Sequence, residues 1–193
     1  MGENKILGII PARKESKRLK RKNTTMLAGK PLFRWVTDTL VAICDKVVVT
    51  TDDNDLKEMC NNINVDIVNR PPELATDTAT SIDVALHIIK LYPEYDFVFY
   101  AEPTMPNIRL EDLERMVRYL RNDNLPAIAT ANPYTLKFTG TVIFIQREVL
   151  LKQKTLFPFG MGIYFVEGMC AMDIDTWHDL VITDSFLRGR IYK

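Results

Sequence analysis

Thirteen residues near the start of the chain, Pro11–Asn23, read PARKESKRLKRKN, and seven of them are basic: Arg13, Lys14, Lys17, Arg18, Lys20, Arg21 and Lys22. The whole chain is neutral, with 25 Lys and Arg against 25 Asp and Glu. The positive charge is therefore local, and it points to an anionic ligand at this one place. A polyphosphate needs only a few such side chains, as forked donors and point charges. A solvated basic loop, a localisation signal or an RNA-binding patch collects the same residues. RNA binding of that kind interleaves aromatics with the cations, and residues 11–23 contain none. Near the other end, Ala171–Asp175 reads AMDID. If this run ends a strand, Asp173 and Asp175 face the same side. Two carboxylates there, after Ala171 and Met172, are costly unless paired or metal-bound, and hard oxygen ligands suit Mg²⁺. The alternative is that one of them, with Thr176, caps the next helix.

The elements that must position these groups alternate in type. Apolar, β-branched runs predict strands at Ile6–Ile10, Lys46–Thr50, Val65–Val68, Phe97–Tyr100, Ala127–Thr130, Thr141–Ile145 and Ile163–Val166. Helical spacing fills the gaps at Pro31–Ile43, Asp53–Asn61, Ser81–Leu91, Leu110–Arg121 and Thr176–Arg188. The second of these has a candidate cap in Asp52 or Asp53. Thr80–Asp83, TSID, resembles a capping box with Asp in place of Glu. Strands alternating with helices imply βαβ units and a mostly parallel sheet. Two connections are long, Pro11–Lys30 and Asn69–Thr80, and both leave the ends of predicted strands. Loops of that length in a compact domain are usually functional, and open α/β sheets bind ligands outside the carboxyl ends of their strands.

Bulk properties narrow the class. A chain of 193 residues with 47% hydrophobic and 26% charged content fits one globular domain, 1–193. Zero net charge argues against a general nucleic-acid or membrane-surface binder. Cys44, Cys60 and Cys170 are too few and too scattered for a metal or redox pattern. KILGII (Lys5–Ile10) is too short for a signal peptide, and no run reaches the length of a membrane span. A cytoplasmic location is the expectation.

The order of residues says more. IIPARKESKRLKRKN followed by LAGKPLFRWV resembles the opening of the acylneuraminate cytidylyltransferases. Pro11, Ala12, Arg13, Ser16, Lys17, Lys22 and Asn23 match that family's pattern, as do Ala28, Gly29, Lys30, Pro31 and Leu32. The blocks VVVTTD (Val47–Asp52), RPPELATDTATS (Arg70–Ser81) and DIDT (Asp173–Thr176) continue the resemblance in family order. It implies a three-layer α/β/α, Rossmann-like nucleotidyltransferase fold. It also implies a reaction in which the anomeric hydroxyl of an acidic sugar attacks the α-phosphorus of CTP and pyrophosphate leaves. Negative charge then grows on the phosphoryl oxygens, where fixed cations and Mg²⁺ must meet it.

On that resemblance Arg13 and Lys22 hold the triphosphate, with Lys17 as a further candidate and Ala12 in the loop backbone. Lys14, Lys20 and Arg21 are expected to face solvent. Asn23 and Arg70 read the acceptor edge of cytosine, and a carbonyl near Ala79 takes its amino hydrogen. For Arg70 the plainer reading is a surface residue steered by Pro71 and Pro72. Ser81 either serves the cap or binds ribose or phosphate at a helix N-terminus. Asp173 and Asp175 hold Mg²⁺. His87 and His178 offer no obvious base, so deprotonation rests on the metal or on an aspartate. Arg13, Lys22 and Asp175 are the expected catalytic set.

The resemblance departs from the pattern in three places. Glu15 stands where Gly is usual, which would strain the loop if that position needs a positive φ. Glu102, in YAEPTMPNIR (Tyr100–Arg109), stands where Gln is usual, and a carboxylate there repels an acidic sugar unless it binds a metal or accepts from an amine. The segment NPYTLKFTG (Asn132–Gly140) is short where relatives carry a dimer arm and an Arg for the sugar carboxylate. Lys137 is left as the carboxylate partner. Such relatives are often dimers, but the dimer arm is cut short here, so a homodimer and a monomer both stay open, with no nucleic-acid or membrane partner expected. A sialic-acid-like acceptor is favoured by the Lys22–Asn23 pair over a 3-deoxy-manno-octulosonate-like one, and a non-catalytic nucleotide binder is the reading from another class.

Overall fold

The computed structural model describes residues 4–16, 18–135, 138, 142–166 and 168–191. Seven strands form one sheet: β1 (Ile6–Pro11), β4 (Lys46–Thr51), β5 (Asp66–Asn69), β6 (Phe97–Ala101), β7 (Ala127–Ala131), β8 (Val142–Gln146) and β9 (Gly162–Phe165). Two short strands, β2 (Met26–Leu27) and β3 (Lys30–Pro31), pair separately as a hairpin inside the first long loop. The order across the main sheet is β5-β4-β1-β6-β8-β7-β9. The pairs β5–β4, β4–β1, β1–β6 and β7–β9 are parallel, and β8 runs antiparallel to both β6 and β7. The short connection after β7 explains the reversal of β8, because a parallel crossover needs a dozen or more residues and usually a helix.

Alternation along the central strand divides the core. Ile6 and Ile10 of β1 join one cluster, which takes Phe33, Val36 and Leu40 from α1 (Leu32–Val41), Leu56 from α2 (Asn54–Met59), and Leu113, Met116 and Leu120 from α4 (Leu110–Asn122). Leu7 and Ile9 point the other way, to Ala85, Ile88 and Ile89 of α3 (Ser81–Leu91) and Leu150 of α5 (Arg147–Gln153). Helices thus cover both faces, giving the expected three layers, and β1 is apolar throughout because both its faces are buried. A third cluster ties Leu27, Ala28 and Leu32 to Ile174 and to Leu180 and Leu187 of α6 (Trp177–Ile191).

The expected helices form within a few residues of their predicted ends. Asp53 caps α2, its carboxylate accepting from the Asp55 amide. Thr80 and Asp83 make the reciprocal capping box of α3. Helix α5 and the β2–β3 hairpin are not legible in the periodicity. The hairpin turns on Ala28 (φ 45°) and Gly29 (φ 93°), the two left-handed residues that a type I′ turn requires.

One predicted strand is absent. Gly168–Ala171 is a short 3₁₀ turn, and residues 172–175 pair with no strand. The sheet ends at β9, and this segment is anchored instead by the Ile174 amide, which donates to the Thr104 carbonyl at 2.9 Å, with the Ile174 side chain fully buried. Strand alternation therefore does not put Asp173 and Asp175 on one face.

Candidate active site

The chain leaves β1 for β4 and β5 on one side, then returns to place β6 on the other. That reversal opens a crevice beyond the carboxyl ends of β1 and β6, the place where open α/β sheets bind ligands. A cleft of about 330 Å³ lies there, lined by both long loops, the start of α3, the end of β6 and Asp175.

The first loop is held mainly through its own backbone, by groups at the end of β4 and by Asn23. The Ala12 amide donates to the Thr50 carbonyl (3.0 Å), and the Lys14 amide to Asp52 Oδ1 (2.7 Å). Asn23 Nδ2 closes the loop on the Arg13 carbonyl at 2.9 Å. Arg13 reaches across to the second loop, where its Nη1 donates to the Thr76 carbonyl (3.2 Å) and to Asp77 Oδ1 (2.8 Å). Lys22 runs the other way, donating from Nζ to the Ile174 carbonyl (2.9 Å) and to Asp175 Oδ1 (3.1 Å). Arg18 takes the second oxygen of Asp175 at 2.5 Å. Arg21, at φ 54°, pairs with Asp55.

Arg70 follows β5 and is 8% exposed. Its backbone amide donates to the Thr51 carbonyl and its Nη2 to the Thr50 carbonyl, while its buried Nε has no partner among the described residues. Burial pushes its pKa down, and Tyr100 and Asp52 pull it back up. Tyr100, at the end of β6, is fully buried, and burial drives its phenol well up against the opposing hydrogen bond with Ser81. Buried Arg70 and Tyr100, with exposed Ser81 at their edge, thus make a polar-edged wall suited to an aromatic base.

Arg13, Lys22, Asn23, Arg70, Ala79, Ser81, Glu102 and Asp175 all line this one cleft. Ala12 does not: it is fully buried, and its amide is spent on β4, so it is framework. Asp173 is half-buried and does not line the cleft. Lys17 and Lys137 lie outside the described residues. Lys14, Lys20 and Arg21 are exposed, as expected. Glu15 lines the cleft without a left-handed φ, so its replacement of Gly strains nothing, and Arg18 is paired with Asp175. Sequence reasoning passed over Arg18, Asp52, Asp77 and Tyr100. Their signal was weak: Asp52 and Tyr100 are ordinary polar residues at strand ends, and Arg18 and Asp77 are ordinary charged residues inside the two long loops.

Among the described residues no cluster of three or more His, Cys, Asp or Glu is placed to hold a metal. Mg²⁺ is commonly bound by one or two carboxylates plus substrate phosphates and water, so Asp175 alone on the protein side fits that donor set.

A cationic cradle facing a carboxylate at the switch point of a three-layer sheet is the architecture of a nucleotidyl-transferring protein. The chain matches the family model described as Cytidylyltransferase over residues 7–168, and it belongs to that family. An N-acylneuraminate cytidylyltransferase of Escherichia coli is 38% identical over 104 residues, 53% of this chain and 25% of that protein. A CMP-N,N'-diacetyllegionaminic acid synthase of Legionella pneumophila is 31% identical over 143 residues, 69% of this chain and 60% of that protein. A solved CMP:2-keto-3-deoxy-manno-octonic acid synthetase, complexed with CTP, shares the fold at a TM-score of 0.76 and 17% identity, covering 96% of this chain and 99% of that one. The acylneuraminate resemblance of the motifs is therefore matched by curated relatives. The chain spans from a quarter to 60% of the length of the two curated relatives just named.

Proposed function

We propose that this protein transfers a cytidylyl group from CTP to a sialic-acid-like 2-keto-3-deoxy sugar acid and releases pyrophosphate. The observation that carries the reading is the convergence of Arg13, Arg18, Lys22, Arg70 and Asp175 on one cleft at the sheet's switch point. The acceptor's anomeric hydroxyl forms the new bond to the α-phosphorus, and the bond from that phosphorus to the pyrophosphate oxygen breaks. Arg13 and Lys22 meet the charge that grows on the phosphates, each already held at the cleft by a hydrogen bond to a backbone carbonyl. Arg70 and Asn23 face the base, against the Tyr100–Ser81 wall. Glu102 and Asp175 are the oxygen bases of the β6–Asp175 side, and no histidine lines the described cleft. Mg²⁺, when bound, would be held by Asp175 with phosphate oxygens and would draw charge from the reacting and leaving phosphates.

The partners required are CTP and a small acidic sugar, in the cytoplasm where CTP is made. The described residues hold no helix long and apolar enough to cross a membrane. A homodimer belongs to the proposal, supported by edge strand β9, which leaves Ile163 and Phe165 half exposed and is preceded by a nearly fully exposed Phe159; sedimentation of the intact chain as a monomer would remove it. Glu102 in the cleft favours a second reading, a different acidic acceptor of 3-deoxy-manno-octulosonate type. Pyrophosphate release from CTP with a panel of sugar acids tests both: turnover of one acid names the acceptor, and CTP binding without turnover of any acid defeats the enzyme reading.

A further inference from the structure

Four cations and four carboxylates are found among the described residues of the cleft, so its formal charge is zero. That balance is unexpected for a polyphosphate site. Asp175 has a use as a metal holder, but Asp77 has none in the reaction described above. It stands in the loop between β5 and α3, its side chain 54% exposed and its Oδ1 2.8 Å from Arg13 Nη1. The same nitrogen donates to the Thr76 carbonyl at 3.2 Å. The guanidinium therefore has a neutral holder and a charged one side by side. The Thr76 carbonyl is a holder that would remain for the side chain without Asp77, and the Asn23 clasp holds the Arg13 backbone. What Asp77 adds is negative charge, which lowers the potential a phosphate meets at Arg13.

We propose that Asp77 is an internal competitor for the nucleotide's phosphates. It joins the first long loop to the second across the cleft through Arg13, and an incoming phosphate shares or takes that guanidinium from it. When pyrophosphate leaves, Asp77 re-forms the pair, so the same carboxylate that weakens nucleotide binding assists product release. Exposed ion pairs are weak enough for such an exchange. The inference rests on the reading of Arg13 as a phosphate ligand.

Asp77→Asn keeps the shape and an oxygen acceptor while removing the charge. The experiment is calorimetric titration of inorganic pyrophosphate, and separately of CTP with Mg²⁺, into the intact wild-type chain and the variant over a salt series. The variant should bind pyrophosphate about two- to five-fold more tightly, the range of an exposed pair, with a steeper loss of affinity as salt rises. Its KM for CTP should fall while kcat does not rise. A merely structural role for Asp77 predicts weaker binding and a lower melting temperature instead. Asp77→Ser, which also lacks the charge, must move affinity in the same direction. Unchanged or weaker pyrophosphate binding in the folded variants, or no pyrophosphate binding by any of the proteins, overturns the proposal. Wild-type protein that binds pyrophosphate but does not prefer CTP sinks the cytidylyl reading and leaves this one standing.

Discussion

Lys22 and Asp175 are 153 residues apart in the chain and meet at 3.1 Å, with the lysine side chain only 13% exposed. The lysine also donates to the Ile174 carbonyl, so the carboxylate and the cation are held by the same short segment. This contact joins the two regions whose residue types first pointed to phosphate chemistry.

The pair should matter more for rate than for folding. Lys22→Ala is expected to lower turnover by roughly 10²–10³, the usual cost of removing one preorganised group. Asp175→Asn should lose turnover comparably, because it weakens both the metal site and the hold on Lys22 and Arg18. Circular dichroism should show both variants folded. A normal rate of pyrophosphate release in either one removes that residue from the mechanism.

Nucleotide choice is the next expectation. CTP with Mg²⁺ should raise the melting temperature more than ATP, GTP or UTP, since at equal concentration the ligand that binds the native state more tightly stabilises it more, as the logarithm of its affinity. Arg70→Ala and Asn23→Ala should shrink the CTP advantage selectively. Four equal shifts in the wild type would contradict the roles given to Arg70 and Asn23.

The capping box beside the cleft carries a pH signature. The hydroxyl and amide of Thr80 both donate to Asp83, which holds its carboxyl below the ordinary value. A depressed folded pKa stabilises above the unfolded value of about 3.9 and ceases to do so as pH falls through the lowered one. The stability gap between wild type and Asp83→Ala should therefore be flat from neutral pH to about 4 and close below it, as read by chemical unfolding at a series of pH values. Thr80→Ala should cost about 1 kcal/mol and loosen CTP binding, because Thr80 and Ser81 both line the cleft.

The β2–β3 turn makes a backbone prediction. A Cβ built on Gly29 meets nothing within 4 Å, yet φ there is +93°. Gly29→Ala should thus cost about 1–2 kcal/mol from backbone strain alone, with no clash to relieve. Ala28, at φ 45°, is already in the same region. Its amide donates to Asp184 Oδ1 at 2.6 Å, which ties the turn to α6. Denaturant melts of Gly29→Ala that match the wild type would show that the turn has another form.

Local signals determined most of the fold. β1 is apolar along its length and β4 through Val47–Val49 because both faces are covered, and α4 shows its buried stripe plainly, so chain order and layer type were readable from period alone. The basic loop was legible as a site from its charge and its place after a strand end, whereas Arg70 was legible only through the family resemblance, the prolines beside it suggesting a surface residue instead. Tertiary structure decided what periodicity cannot encode. It set β8 antiparallel between two earlier strands, β6 and β7, turned the AMDID run away from the sheet, and kept Asp173 out of the cleft while placing Asp175 in it. It also chose partners: Arg18 for Asp175, Asp77 for Arg13, Asp52 for the Lys14 amide. The reason is range. Period and capping are properties of a few adjacent residues, whereas a contact such as Lys22–Asp175 exists only once the sheet order has brought two distant loops to the same edge.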